Sequence, residues 1–262
     1  MRPVFALLLG ICLFAPPAPP AAALMTGLAP GGSARVVGVI DGDTVVLDDG
    51  REVRLVGTQA PKLPLGRDGF AAWPLADEAK RELEKLVLGR TVELGFGGQR
   101  SDRHGRSLAH LYLPDGTWVQ GEMVQRGLAR AYTFADNRAL VAELLAAERA
   151  ARLARRGIWA NPWYRILAPD EVEDHIDSFQ LVEGRVLNAA VARGTGYLNF
   201  GPDHRTDFTA VIPKEGLALF LEGGRSPQSY EGRRVRVRGW VQSLNGAMIE
   251  VTHPEQIEEI DE

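Results

Sequence analysis

Strand-like alternation dominates the chain from residue 35 onward. The runs "ARVVGVI", "DTVVLDD" and "REVRLVG" are short, β-branched and separated by turn residues such as Gly50, which predicts a three-stranded meander. The period then changes. In "PLADEAKRELEKLVLG" Leu75, Ala79, Leu83, Leu86 and Val87 recur at helical spacing and Gly89 offers a stop, so a helix is expected over about 75–88. Strands return at "TVELGF" and "SLAHLYL". Two more helices are expected, one in "WVQGEMVQRGLA" and a longer one from Asn137, as its cap, to Arg156, closed by Gly157. "IWANPWYRI" ends this first unit.

The acidic, proline-led stretch "PDEVEDHID" separates two hydrophobic patterns, and a linker is expected over residues 169–178. Beyond it lie "FQLVEGRVLNA", "GYLNF", "TDFTAVI", the helix-like "EGLALFLE", then "RRVRVRGWVQS" and "AMIEVTH". Three strands, a helix and two strands is the order of a small five-stranded barrel of the oligonucleotide-binding kind. The reading divides the chain into a leader (1–23), a flexible lead-in (24–34), a first domain (35–168), the linker, a β-barrel domain (179–256) and a solvated acidic tail (257–262).

Composition sets the class. The 262 residues are 45% apolar and 24% charged, ordinary globular proportions for about two domains. At the start, "MRPVFALLLGICLFAPPAPPAAA" joins a short basic end to an apolar stretch and a small-residue finish at Ala21, Ala22 and Ala23, the layout of an export signal. The apolar stretch is shorter than the ~20 residues of a spanning helix. An exported chain, periplasmic or secreted and without a membrane span, is expected. The only cysteine, Cys12, falls inside this stretch behind the bulky Ile11, a poor context for lipidation. The mature chain would then hold no thiol, which removes disulfides, thiolate catalysis and cysteine metal sites. Loss of Arg2 takes the formal charge from −4 to −5, so any polyanion site must be local.

Local candidates exist. "VIDGDTVVL" places Asp41 and Asp43 around Gly42 at a strand turn, Arg54 follows eleven residues after Asp43, and Arg106 precedes the strand "SLAHLYL". An aspartate and two arginines that converge would grip a phosphodiester, because guanidinium forks bind phosphate oxygens bidentately. In the second unit Arg234, Arg236 and Arg238 alternate with Val235 and Val237, which puts three guanidiniums on one strand face as a candidate groove for a nucleic-acid backbone. Tyr197, Phe200, Phe208 and Trp240 are either core or stacking surfaces for bases.

The motifs "IDGDT", "VRLVG", "DRHGRSLAHLYLPDG", "VQRGLARAY" and "GIWA", in this order between Arg35 and Trp163, resemble the staphylococcal nuclease (thermonuclease) family. The resemblance implies a five-stranded barrel with three helices, in an α+β chain that is mainly β. It also implies a calcium ion held chiefly by two aspartates, a glutamate that activates water and two arginines on the phosphate. Position by position, the first metal aspartate falls on Asp43, with Asp41 as a neighbouring candidate, and the arginines on Arg54 and Arg106. Tyr132 resembles the family's aromatic wall beside the nucleotide. Where the family reads "IDAPE" this chain reads "TQAPK", which puts Gln59 at the second metal position and Lys62 at the position of the base.

These two substitutions shape the functional reading. Gln59 offers a neutral oxygen where calcium affinity depends on ligand charge, so calcium binding is expected to be weak or absent. Lys62 cannot take a proton from water near neutrality unless burial lowers its pKa far below ~10. The leading expectation is a protein, a monomer, that engages DNA or RNA through Arg54, Arg106 and Lys62 without efficient hydrolysis. A second is a nuclease rerouted through His104, whose ordinary pKa is near ~6.5. A third is a non-catalytic envelope scaffold that binds protein partners.

Overall fold

The structure, a computed structural model, describes residues 25–203 and 205–260. The export signal read in residues 1–23 lies outside them. Strand β1 (Ala29–Asp41) leads through β2 (Thr44–Leu47) and β3 (Glu52–Leu55) to the two-residue β4 (Thr58–Gln59). After helix α1 (Ala76–Val87) come β5 (Thr91–Phe96) and β6 (Ser107–Tyr112). The five longer strands close a barrel in the order β1-β2-β3-β6-β5, the five-stranded barrel that the resemblance implies. Helix α1 presses Ala76, Ala79, Leu83 and Val87 onto the barrel, the face that its spacing assigns to the core.

The strand pairing begins earlier than expected. Ala29 to Ala34, read as part of a flexible lead-in, pair with Phe96 to Val92 across a bulge. Gly31 permits the close approach, since a Cβ there would stand 2.5 Å from the Phe96 ring. Its turn-like neighbours hide the strand from any propensity argument.

Two helices are shorter than the sequence suggests. Helix α2 (Val119–Gln125) stops because Gly127 takes a positive φ and passes within 2.1 Å, measured from an added Cβ, of the Arg156 carbonyl oxygen. The next residues form β7 (Arg130–Ala131), antiparallel to β4. Helix α3 (Val141–Leu153) starts after Leu140, and Asn137 does not cap it. The Asn137 amide instead donates to the Gln99 carbonyl at 2.9 Å.

The second domain is β-rich, with seven strands where five are expected. They are β8 (Phe179–Arg185), β9 (Asn188–Ala192), β10 (Thr195–Asn199), β11 (Thr209–Ile212), β12 (Arg234–Ser243), β13 (Ala247–Glu250) and β14 (Ile257–Glu259), with helix α4 (Lys214–Glu222) after β11. The order is β14-β12-β13-β11-β10-β9, and β8 also pairs with β12. The segment read as a linker folds into 3-10 turns at Pro169–His175 and buries Val172 in this domain's core. The tail read as solvated enters the sheet as β14, with Ile257 and Glu258 buried.

Buried charge joins the domains. Arg238 on β12, 2% exposed, is paired with Glu148 of α3 at 3.0 Å and with Glu258 of β14. Arg152 closes the square, 2.6 Å from Glu148 and 2.9 Å from Glu258. Burial opposes the charge on Arg238, but the two carboxylates outweigh it and raise its pKa. Burial likewise raises Glu258, yet Arg238 and Arg152 pull it down to about 2. Thr133 bonds His253 at 2.8 Å and Arg138 bonds Glu255 at 2.6 Å across the same seam.

Two outcomes follow for stability. Glu148→Ala strips a fully buried anion from Arg238, Arg152 and the Ala131 N–H, and a broken buried pair costs about 3–5 kcal/mol; denaturant melts should show a loss of that size. Burial lowers His253 and His110 to about 4 each, with Glu255, Arg138 and Arg238 the charges that bear on His253. Both rings fold neutral, so their stabilising effect is complete above the unfolded pKa of ~6.5 and declines as pH falls from there toward 4. Denaturation midpoints should drop between pH 7 and 5, and His253→Gln should remove roughly half of that pH dependence.

Candidate functional site

The site is built at the turn between β1 and β2. Gly42 lies against the barrel and α1, where a Cβ would be 2.6 Å from Ala60 and 2.8 Å from Ala79, so only glycine lets the turn hold its two aspartates in place. The Asp43 N–H donates to Asp41 Oδ1 at 3.1 Å. Asp43 is 1% exposed, and its carboxylate must find donors within the protein.

Three groups supply the close ones, and the Thr44 hydroxyl donates to Oδ1 from 3.4 Å. The Ala60 N–H donates to Oδ2 at 2.7 Å, the Lys62 ammonium reaches both oxygens at 2.8 and 3.1 Å, and the Arg54 guanidinium forms an ion pair with Oδ1. Arg54 is registered against Thr44 on β2, which sets its fork beside Asp43. Its other arm donates to the Thr58 carbonyl at 2.9 Å. Lys62 also lies 4.0 Å from Asp41 Oδ2, so one ammonium spans the aspartate pair.

The electrostatics match this geometry. Burial raises Asp43, but Arg54 and Lys62 reverse it and hold the carboxyl far below the usual range. Asp41 moves up, through burial and the neighbouring Asp43 charge, with Lys62 only partly offsetting them. Lys62 moves down from its ordinary value because burial and Arg54 together outweigh its pairing with Asp43.

The other predicted residues are placed differently. Gln59 is buried, and its Oε1 accepts from Arg130 Nε at 2.9 Å across the β4–β7 pair. Arg130 is a residue that the pattern does not single out; it is buried over the Phe179 ring at 4.3 Å. Burial lowers its pKa to about 10. Arg106 lies in the loop just before β6, two residues ahead of Leu108, which is registered with Arg54. Its fork is held by Asp102, at 2.8 Å from Nε and 2.7 Å from Nη2. That aspartate, four residues upstream in "DRHGR", is a second partner the sequence reading passes over. His104 sits exposed in the same turn, its Nε2 accepting from Arg103 at 3.1 Å, with no bond to Asp43, Arg54 or Lys62.

The aromatic and arginine candidates of the domain seam are engaged internally. The Tyr132 ring packs edge-on against Phe134 and Phe179, and its hydroxyl accepts from Trp240 Nε1 at 3.0 Å. The β12 arginines share a face as expected, but that face carries carboxylates. Arg234 and Arg236 pair with Glu183 at 2.9 and 2.5 Å, and Arg238 is buried at Glu148. β8 and β14 bring Glu183 and Glu258 opposite the row, so Arg236 and Arg238 are paired within the protein while Arg234 stays 55% exposed beside Glu183. Phe200 and Phe208 are core residues. Among the described residues no three Asp, Glu, His or Cys side chains gather in the manner of a metal site.

Comparison with known proteins agrees with the barrel and its loops. Residues 52–161 match the model of the staphylococcal nuclease homologue family. An uncharacterized endonuclease of Escherichia coli O157:H7 is 32% identical over 137 residues, 49% of this chain and 81% of that protein. A thermonuclease of Staphylococcus hyicus is 28% identical over 130 residues, 48% of this chain and 75% of that protein. An endonuclease of Bacillus subtilis is 33% identical over 132 residues, 48% of this chain and 60% of that protein. Each alignment spans about half of the chain. The chain belongs to the staphylococcal nuclease family, through its first domain.

Proposed function

We propose that the first domain, exported with the rest of the chain, binds a nucleic-acid phosphodiester and has lost the family's calcium-dependent hydrolysis. The carrying observation is the position of Lys62, whose ammonium lies 2.8 Å from Asp43 and 4.0 Å from Asp41. A calcium ion takes six to eight oxygens with carboxylates supplying charge. Here both Asp43 oxygens are bonded to cations or to a backbone N–H, the Gln59 oxygen is turned to Arg130, and a fixed positive charge stands beside the pair. This donor set does not fit calcium.

Lys62 serves instead as a built-in cation. With Arg54 it balances Asp43 and Asp41, so the positive charge open to a phosphate is that of Arg106 once its fork leaves Asp102. Arg106 is 30% exposed and can exchange its Asp102 partner for a phosphate fork at little cost, since such surface pairs are worth only about 0–1 kcal/mol. The rerouted-base reading has no geometric support, because the contacts of His104 are to Arg103 and to the Asp102 carboxylate through its backbone.

Binding of labelled single-stranded DNA across a salt series tests this reading. A backbone binder loses affinity log-linearly with salt, with a slope close to −0.7 per phosphate neutralised on a single strand. Arg106→Ala together with Lys62→Met should weaken binding at low salt and flatten the slope by about one to two phosphates. Unchanged affinity in that variant would refute the phosphate site.

A further inference from the structure

We propose that the loop over residues 63–72, with Trp73 and Trp163, forms a platform on which the bases of a single-stranded nucleic acid stack while its backbone passes the Lys62 site; this rests on the phosphate reading above. The loop starts and ends at that site. The Trp73 N–H donates to the Lys62 carbonyl at 2.9 Å, closing the loop at its root. The Tyr164 hydroxyl donates to the Pro74 carbonyl at 2.6 Å, which fastens the segment Pro162–Tyr164 alongside.

These ties line up three rings. Phe70 stacks on Trp73 at 6.4 Å with 29° between the planes, and Trp73 meets Trp163 at 5.2 Å. Trp163 is 48% exposed, and Phe70 and Trp73 are half-buried. Arg67 lies over the Phe70 ring at 3.8 Å, its Nε and Nη2 fixed by the Pro64 and Leu63 carbonyls at 3.0 and 2.6 Å. Among the described residues Arg67 has no carboxylate partner. An ordered aromatic row ending in a fixed guanidinium fits flat bases, which offer a π-face whatever their sequence. A duplex hides those faces within its own stack, so the geometry selects a single strand.

Charge and stacking are separable here. Trp73 and Trp163 carry no charge, so the stacking contribution should depend little on salt, whereas the Lys62 and Arg106 contribution depends on it steeply. The platform adjoins Lys62 through the Trp73 N–H, and the Trp73 ring lies 5.8 Å from Arg130, the partner of Gln59.

The test compares a labelled dT 12-mer with an abasic 12-mer of equal phosphate number, using the folded mature chain and its Trp163→Ala and Trp163→Phe variants. Wild type should bind the dT strand more tightly than the abasic one. Trp163→Ala should weaken dT binding about 5- to 150-fold, the range for one base stack, and leave abasic binding and the salt slope unchanged. Trp163→Phe should recover most of the loss. Equal loss on both strands, no loss, or no rescue would overturn the platform. Equal wild-type affinity for both strands would overturn it while sparing the phosphate site. Binding to neither strand would overturn both readings.

Discussion

A carboxylate that is 1% exposed cannot stand alone, and Asp43 is the group around which the first domain's site is organised. Stripping an ion of water without partners costs several kcal/mol, so the turn at Gly42, the β3 arginine and the loop beginning at Ala60 are all constrained to deliver donors to one point. The Ala60 N–H, Arg54 and Lys62 meet that demand from two separate stretches of chain, the strand at Arg54 and the loop from Ala60 to Lys62. A metal ion and an ammonium are alternative solutions to the same electrostatic problem. In this chain the side chain of Lys62 supplies the positive charge.

A second buried anion, Glu148, performs the equivalent task between the domains. Its carboxylate receives Arg238, Arg152 and the Ala131 N–H. Ala131 belongs to β7, whose other residue, Arg130, holds Gln59. The docking of the second domain and the orientation of position 59 are thus linked through two adjacent residues. Tyr132, the next residue, is drawn to Phe179 and Trp240 of the second domain by the same contact. Trp163 is 48% exposed and packs on Trp73, whose ring lies 5.8 Å from the same Arg130.

Much of this is legible in the sequence where a periodic pattern exists. The five barrel strands and α1 follow from alternation and helical spacing, and Asp43, Arg54 and Lys62 follow from the motif order. What the pattern lacks is knowledge of the opposing surface. Arg234, Arg236 and Arg238 do share a face, but alternation says nothing of Glu183 and Glu258 on the neighbouring strands. Gln59 and Arg130 are 71 residues apart and meet through a pairing of two residues per strand, too short to carry any period. The strand at Ala29–Ala34 was hidden because proline, glycine and serine there serve close packing against Phe96, not flexibility.

The central claim is that Lys62 and Gln59 alone replace the metal machinery on an otherwise intact barrel. Its most direct test is a side-by-side cleavage assay of the mature chain and the Gln59→Asp, Lys62→Glu double variant on single-stranded DNA, with calcium or with chelator, and with Arg106→Ala as a control for contaminating nuclease. A second charged ligand and a general base are then restored, and base catalysis alone is worth about 10² to 10⁴-fold. The account predicts chelator-sensitive cleavage in the double variant and none above the control in the parent chain. Equal rates in the two proteins would contradict it.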